Sequence, residues 1–250
     1  MIRKVLALFI AIMYMLGGKG IMESKWELTE TEINLLVSTG FNERRIRAGE
    51  LTHVELEDLD VIRYTVRRME ELYPGLSVEY ISMNVGAQGG AGYSFTAYEK
   101  SHGPDDPFVI FTEVGGTPEE PEYKCSDTLA GQIMYPEFNQ YILDLLKQND
   151  IDFLNIDATL PYRVNEEFDR SCPVAQLIEN GKCPPCSIRV EINACGIDQP
   201  AFDSYVSFLE KVFRERGLTG SVLVLGYDTD SGNSPPGSWD RVVYRAQILL

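Results

Sequence analysis

The stretch LSVEYISMNVGAQGGAGYSFTAYEKSHGPDDPFVIFTEV, residues 76–114, decides the fold class of this chain. Apolar and polar residues alternate in three parts of it, at 76–83, 93–100 and 107–114, which is typical of half-buried β-strands. Only short turns separate these parts. Consecutive strands joined by short turns pair antiparallel, because a parallel pair needs a long crossover connection. The stretch therefore predicts an antiparallel meander.

Amphipathic helices accompany this meander. Apolar residues recur every three or four positions in three further segments, 52–73, 136–148 and 201–215. Strand-like segments follow later in the chain, at 152–160, 186–195, 220–227 and 241–250. The pattern predicts an α+β fold, in which a mostly antiparallel sheet carries amphipathic helices on one face.

A short helical segment is predicted before the main domain, at 24–50. Thr29 and Glu32 have the spacing of a capping box, and Gly40 ends the helix that they begin. Residues 51–250 then form the α+β domain. The polar stretch near 115–135 is a candidate boundary for subdividing it.

The first 22 residues are typical of an export signal. Arg3 and Lys4 precede an apolar run at 5–16, and Gly17 and Gly18 follow it. The run is shorter than the roughly 20 residues that a spanning helix needs. We expect a cleaved signal peptide, with an uncleaved membrane tether, a misassigned start or a buried N-terminal helix as alternatives. The protein is then secreted or membrane-associated outside the cytoplasm, and only an uncleaved N-terminal segment contacts the membrane.

The charge of the chain argues against nucleic acid as a partner. The formal net charge is −16, and residues 1–22 hold three of the 22 basic residues and none of the 38 acidic ones. The remainder therefore carries 19 basic against 38 acidic residues, a net charge of −19. Binding a phosphate backbone requires clustered lysine and arginine, which this acidic chain does not offer.

No catalytic or cofactor motif stands out in the sequence. The chain has two histidines, His53 at the start of a predicted helix and His102 in a polar turn, so a histidine-based triad is disfavoured. The glycine-rich stretch 85–92 leads into a strand-like segment, whereas a phosphate-binding loop leads into a helix. We expect a hairpin turn there, no bound cofactor, and no assignable catalytic residue.

Four of the five cysteines fall close together: Cys172, Cys183, Cys186 and Cys195. Disulfides suit an exported chain, and we expect at least one bond among these four. A structural zinc held by four thiolates is an alternative, because C-x2-C is a common zinc half-site. A third is a thioredoxin-type redox pair at CPPC (183–186), although a strand-like segment follows where that motif requires a helix. Free thiols are the fourth. Cys125 stands apart.

A weak calcium candidate lies near the C-terminus. Asp228 and Asp230 have the spacing of the first two ligands of a calcium loop. The later positions of that loop carry Gly232, Asn233 and Trp239, where an oxygen ligand, a glycine and a glutamate are needed. We therefore expect no calcium-binding loop of this type.

The general organisation is similar to that of uncharacterised exported or lipoprotein-like α+β proteins of Gram-positive bacteria. The resemblance rests on the N-terminal signal, on SFTAYEK and DDPFVIFTEV at 94–100 and 105–114, and on the helix after them. It covers residues 52–150 and carries no functional motif. We expect an exported, non-enzymatic domain that binds a ligand or protein outside the cytoplasm. A cell-envelope hydrolase using carboxylates and a redox protein using Cys183 and Cys186 are the alternatives.

Overall fold

The chain folds into two β-sheets, each with helices packed on one face. The computed structural model describes residues 25–86, 92–117, 119–160, 163–228 and 241–250. Its helices in those residues are α1 (Glu30–Ser38), α2 (Glu43–Arg47), α3 (His53–Leu72), α4 (Leu129–Gln148), α5 (Val174–Glu179) and α6 (Gln199–Glu215). Its strands there are β1 (Val78–Val85), β2 (Gly92–Glu99), β3 (Phe108–Thr117), β4 (Glu120–Asp127), β5 (Asn155–Thr159), β6 (Val164–Asn165), β7 (Cys186–Asn193), β8 (Gly220–Tyr227) and β9 (Val242–Leu249). The predicted α+β fold is confirmed.

The N-terminal sheet contains the predicted meander. Its order is β1-β2-β3-β4-β6, and every neighbouring pair is antiparallel. One face packs on α3 through buried residues such as Phe95 and Ile110 on the sheet and Ile62 on the helix. Within this core the hydroxyl groups of Thr65 and Thr112 share a hydrogen bond of 2.7 Å. Alternation of side chains along each strand directs Phe111 and Glu113 of β3 to the opposite face, which we call the free face.

The short N-terminal helices form as predicted. Thr29 caps α1: its hydroxyl accepts from the Glu32 N–H at 3.2 Å, and the Glu32 carboxylate accepts from the Thr29 N–H at 2.7 Å. Gly40 follows the helix with a φ of +98°, a conformation that glycine adopts without strain. Thr52 and Glu55 make an equivalent capping box at α3. These helices cover one side of the N-terminal core.

The C-terminal sheet has the order β5-β7-β8-β9 and is mixed. β7 and β8 are parallel because α6 connects them as a crossover, while the other two pairs are antiparallel. Helices α4, α5 and α6 pack on one face. Phe202, Leu209 and Phe213 of α6 are buried there against Val190 and Val224 of the sheet. The clear apolar face of α6 in the sequence is therefore its core face.

Helix α4 joins the two cores. Leu129 and Ala130 in its first turn belong to the N-terminal core, whereas Phe138 and Ile142 belong to the C-terminal core. The sequence predicts that this helix begins at residue 136, because proline is common in the first turn of a helix. That predicted start is wrong. The helix begins at Leu129, so Pro136 lies inside it. A proline there forgoes one backbone hydrogen bond, and burial on two cores offsets that loss.

Two segments hold helices or strands that the sequence pattern does not indicate. The polar stretch at 115–124 largely belongs to β3 and β4, which pair from Thr117 and Glu120 onward. Exposed strand residues such as Glu120 and Glu122 give no alternating signal, so β4 is missed from the sequence. No helix or strand is predicted between the segments 152–160 and 186–195, and this part of the chain holds the short helix α5 and the two-residue strand β6.

Several sequence predictions lie outside the described residues. The export signal falls within residues 1–24, and the tip of the glycine-rich turn is at 87–91. The ends of that turn are described: the Gly86 N–H donates to the Gly92 carbonyl at 2.9 Å, and β2 follows as expected. In the part of the chain that is described, no helix is both long and apolar enough to span a membrane.

Candidate functional site

A linking segment, residues 163–173, contains β6, leads to α5 and lies where the two sheets meet. It passes from the edge of the N-terminal sheet to the first turn of a helix of the C-terminal core. Three charged side chains fix it in place: Arg163, Glu166 and Arg170. Each contacts a different element of the N-terminal sheet and its helices. Ion pairs therefore hold the linking segment in position, in addition to apolar burial.

Arg170 is the most buried of the three. Its Nη2 donates to Asp127 Oδ2 at 2.6 Å, and its Nε donates to the Tyr73 hydroxyl at 2.9 Å. Tyr73 in turn donates to Asp127 Oδ1 at 2.6 Å. The remaining Arg170 contacts are with the carbonyls of Phe168 and Asn165. The Asp127 side chain is fully buried, and that of Arg170 is 7% exposed.

This cluster also begins α4. Asp127 Oδ1 accepts from the Ala130 N–H at 3.0 Å, which satisfies one of the free donors at the helix N-terminus. The carboxylate is therefore bound by an arginine, a tyrosine and a helix end. Burial, together with the Asp127 carboxylate, raises the pKa of Tyr73 well above its ordinary range, so the phenol stays protonated and donates.

Glu166 and Arg163 hold the other side of the segment. The Glu166 carboxylate accepts from Arg68 Nε at 2.9 Å and from the Tyr64 hydroxyl at 3.1 Å, both on α3. Burial and the nearby Glu166 charge raise the pKa of Tyr64 to about 12. Arg163 lies on the free face of the N-terminal sheet, 4.6 Å above the centre of the Phe111 ring.

Arg163 and Asn165 each line two clefts, which therefore adjoin. We call these two clefts together the joint trough. One cleft, of about 510 Å³, is lined by Arg163, Val164, Asn165, Glu167, Phe168, Asp169, Leu177, Lys182, Pro184 and Pro185. The other, of about 380 Å³, is lined by Glu113, Lys124, Cys125, Ser126, Arg163 and Asn165. The joint trough thus runs from the free face of the N-terminal sheet to the loop before β7.

The charges in the joint trough are balanced, unlike those of the chain as a whole. Its cationic side chains are those of Arg163, Lys124 and Lys182, and its acidic ones are those of Glu113, Glu167 and Asp169. Arg163 Nη2 donates to Glu113 at 2.7 Å, which fixes the guanidinium where the two clefts meet. Such a lining can receive a ligand that carries charges of both signs.

A third cleft, of about 220 Å³, lies on the other side of Arg170. Its lining is mainly apolar: Leu72, Tyr73, Pro74, Leu76, Ala130, Ile133, Met134, Arg170 and Ser171. Each guanidinium nitrogen of Arg170 already donates to a protein acceptor. The cleft therefore offers apolar contact but little directed polar recognition.

The predicted disulfide among Cys172, Cys183, Cys186 and Cys195 is not formed, because all of these cysteines are free thiols. The fold explains part of this. Cys186 begins β7 and Cys195 follows its end, and eight extended residues span roughly 25 Å, whereas a disulfide needs Cα atoms within about 7 Å. Cys172 and Cys183 lie on opposite sides of α5 in sequence.

The structure gives no support to the zinc alternative at these four cysteines. Among the described residues, no three histidine, cysteine or acidic side chains converge as metal ligands. Cys183 and Cys186 do not have the properties of a reactive redox pair either. Burial raises the pKa of Cys183 to about 12 and that of Cys186 to about 11, so the nucleophilic thiolate is disfavoured. Cys186 begins a strand, not the helix that the redox motif requires.

The remaining sequence candidates do not form a described site. Asp228 ends the described part of its loop, where its N–H donates to the Arg241 carbonyl at 2.9 Å, and Asp230 lies outside it. Among the described residues, burial raises the pKa of one carboxyl group, that of Asp58. Asp58 accepts from Tyr93 at 2.8 Å in the N-terminal unit and lines none of the three clefts.

Sequence reasoning missed the residues that build the joint. Arg163, Asn165 and Arg170 stand in a segment without periodicity, where a charged residue looks the same whether it is solvated or buried. Comparison with known protein families, with characterised proteins and with solved structures finds no match to this chain. The function therefore has to be inferred from the chain's own geometry.

Proposed function

We propose that the protein is an exported, non-enzymatic domain that binds a ligand in the joint trough. The observation that carries this proposal is the pair of clefts that share Arg163 and Asn165. Ligand sites in proteins have volumes of roughly 300–1,000 Å³ and lie preferentially where structural units meet. Both clefts have volumes in that range, and the larger one lies between the N-terminal sheet and the loop before β7.

The lining indicates the chemistry of the ligand. Lys182 and Glu167 present opposite charges in one cleft, and Phe168 and Leu177 provide apolar contact beside them. In the other cleft, Lys124 and Glu113 are again of opposite charge. A short, extended peptide segment with acidic and basic side chains satisfies all of these groups. A polyanion does not, because acidic side chains line both clefts.

The site is preorganised to bind, because the residues that shape it are already fixed. Arg163 is held by Ser126, Glu113 and Phe111, and the linking segment is held by the buried Arg170 pair. A preorganised site loses little conformational entropy on binding. No described cleft combines a reactive thiol or a carboxyl of raised pKa with this geometry, so binding is the function that the joint trough supports best.

A charge reversal at Lys182 tests the ligand site. We expect Lys182→Glu to weaken binding of acidic-basic peptides by about 10-fold or more, because a hydrogen bond to a charged group contributes about 1.5–3 kcal/mol. The measurement is titration of the purified protein with a panel of short synthetic peptides that contain both lysine and glutamate. Lys182 is exposed and makes no described ion pair, so its reversal should leave the fold intact.

The matched control for that experiment is Lys211→Glu. Lys211 lies on the exposed side of α6, outside the joint trough, and the change in net charge is the same. Equal loss of affinity in both variants would indicate a long-range charge effect and would contradict the proposed site. Failure of the entire peptide panel to bind at millimolar concentration would contradict the peptide as ligand.

Export makes a separate prediction about the N-terminus. The order of charged, apolar and small residues in 1–18 leads us to expect that the mature protein lacks these residues or is held at a membrane by them. Intact mass measurement on protein recovered from the medium and from the membrane fraction checks this. Recovery of the chain as soluble cytoplasmic protein with its N-terminus intact would rule out export.

A further inference from the structure

The two sheets have four outer edges, and three of them are covered or interrupted in the described residues. At β1, a bulge lies between Tyr80 and Ser82, and the Met83 N–H donates to Ser38 Oγ at 2.9 Å. At β5, the Ala158 N–H donates to Asn139 Oδ1 of α4 at 3.1 Å. Such coverage is how monomeric proteins prevent their sheet edges from pairing with other chains.

The third edge, along β4 and β6, is short and partly occupied. β6 has two residues, and the linking segment continues from it, with the Glu166 N–H donating to the Cys125 carbonyl at 3.1 Å. Further along β4, the Tyr123 carbonyl accepts from the Tyr64 hydroxyl at 3.2 Å. Pro121 adds a position with no N–H donor. A new strand therefore finds few free backbone groups at this edge.

The fourth edge, β9, is different. The Leu250 N–H donates to the Gly220 carbonyl, so Leu250 is hydrogen-bonded to β8. Because hydrogen-bonded residues alternate along an antiparallel pair, the residues of β9 that also bond β8 are Ile248, Ala246 and Tyr244. The backbone groups of Arg245 and Gln247 consequently point away from the sheet. In the part of the chain that is described, one side chain reaches this outer edge: Arg214 of α6, whose Nη2 donates to the Leu249 carbonyl.

We propose that a second copy of the chain pairs with the outer edge of β9, so that two C-terminal sheets form one continuous sheet across a two-fold axis. The regular part of the edge is residues 244–249, because the register shift between Gly226 and Tyr227 leaves Val243 as a bulge. An antiparallel pair of identical strands is closed by a two-fold axis and stops at a dimer.

Side-chain complementarity selects the register. With Ala246 on the axis, each Arg245 lies opposite Gln247 of the second copy, and each Tyr244 lies opposite Ile248. A guanidinium can donate to a glutamine carbonyl, and the small alanine allows close approach at the axis. With Arg245 on the axis, two guanidinium groups face each other, which is destabilising.

The position of Arg214 favours the same register. In a register with Gln247 on the axis, the backbone of Leu249 would have to pair with that of Arg245 in the second copy. The Leu249 carbonyl is already bound by Arg214, 2.5 Å away. With Ala246 on the axis, the outward groups of Arg245 and Gln247 pair with each other, and Leu249 stays outside the regular ladder.

The test is sedimentation analysis of the full chain at increasing protein concentration, with three variants. We expect the wild type to form a dimer. Gln247→Arg places arginine opposite Arg245 at two symmetric positions and should weaken the dimer roughly 10-fold or more. The double variant Arg245→Gln/Gln247→Arg restores an arginine–glutamine pair and should recover wild-type dimerisation. Gln140→Arg, on an exposed turn of α4, has the same charge change and should have no effect.

Each alternative outcome contradicts the proposal. A wild type that stays monomeric at its highest soluble concentration would refute pairing at β9, and open-ended oligomers would refute a closed two-fold. A dimer that Gln247→Arg leaves unchanged must use another surface. Loss of the dimer without recovery in the double variant would refute the register with Ala246 on the axis. Circular dichroism and melting temperature are measured at a concentration low enough for the wild type to be monomeric, because dimerisation itself raises the melting temperature. We expect both to be unchanged there in every variant, because the substituted side chains are exposed.

Discussion

Replacing Arg170 with methionine is expected to destabilise the protein by about 3–5 kcal/mol, the range for a buried ion pair that loses one partner. Asp127 is fully buried, and the substitution leaves its carboxylate without a compensating charge. The carbonyls of Phe168 and Asn165 also lose a donor each. Chemical denaturation of the wild type and the variant, with the free energy of unfolding extrapolated to water, measures this loss.

A double-mutant cycle separates the ion pair from the packing around it. Asp127→Ala/Arg170→Met removes both charges, so it should cost less than the sum of the single variants, with a coupling of about 1–3 kcal/mol. Arg47→Met is the matched control. Arg47 pairs with Glu30 and Glu43 on the surface, where such pairs contribute little, so stability should be nearly unchanged.

Two other results would contradict the role assigned to this cluster. Additive single substitutions would show that Asp127 and Arg170 act independently, despite the 2.6 Å that separates their bonded atoms. An Arg170→Met variant as stable as the Arg47→Met control would show that the buried pair does not hold the linking segment. The same variant should also weaken peptide binding in the joint trough, because the segment that carries Arg163 and Asn165 depends on Arg170.

The fold was predictable where side chains follow a period. Alternation at 76–83, 93–100 and 107–114 predicts β1, β2 and β3, and the apolar face at 201–215 predicts α6. Each of these elements buries one face and exposes the other, and this difference between the faces produces the periodic pattern in the sequence. The sequence of β4 shows no such alternation, because the first half of the strand is exposed and only its last residues, ending at Asp127, are buried.

The division into two sheets and the site between them were not predictable in the same way. No local pattern distinguishes one sheet from two, because strand pairing is a long-range property. Arg170 and Asp127 are 43 residues apart in sequence, and neither lies in an apolar pattern. The cysteine cluster shows the opposite error. Close spacing in sequence indicated a bond, but Cys186 begins β7 and Cys195 follows its far end.

Gly220→Ala is expected to be the most damaging single-methyl addition among the glycines described, with a loss of roughly 3 kcal/mol or more from two sources. Gly220 has a φ of +122°, which strains any residue with a side chain. A Cβ there would also overlap the carbonyl oxygen of Cys186 and approach its nitrogen to 2.5 Å. These are backbone atoms of the neighbouring strand, so they cannot turn aside.

The position explains the size of the effect. Gly220 opposes Cys186 at the first pair of the parallel ladder between β7 and β8, and its carbonyl accepts from Leu250 at the end of β9. Three strands therefore meet at one residue. To admit a methyl group, β7 must move away from β8, which would disrupt the Cys186 N–H bond of 2.7 Å to the Thr219 carbonyl and the core packing behind it.

Gly40→Ala separates the two sources of strain. Gly40 has a similar φ of +98°, but a Cβ there would meet no atom within 4 Å, so it should lose only the backbone contribution of about 1–2 kcal/mol. Thermal and chemical denaturation of both variants give the comparison. If the two lose equal stability, the close approach of β7 and β8 at Gly220 is not a constraint. If Gly220→Ala loses more stability, as we expect, the difference measures the cost of separating β7 from β8 at the pair formed by Cys186 and Gly220. This pair belongs to the sheet whose β9 edge forms the proposed dimer.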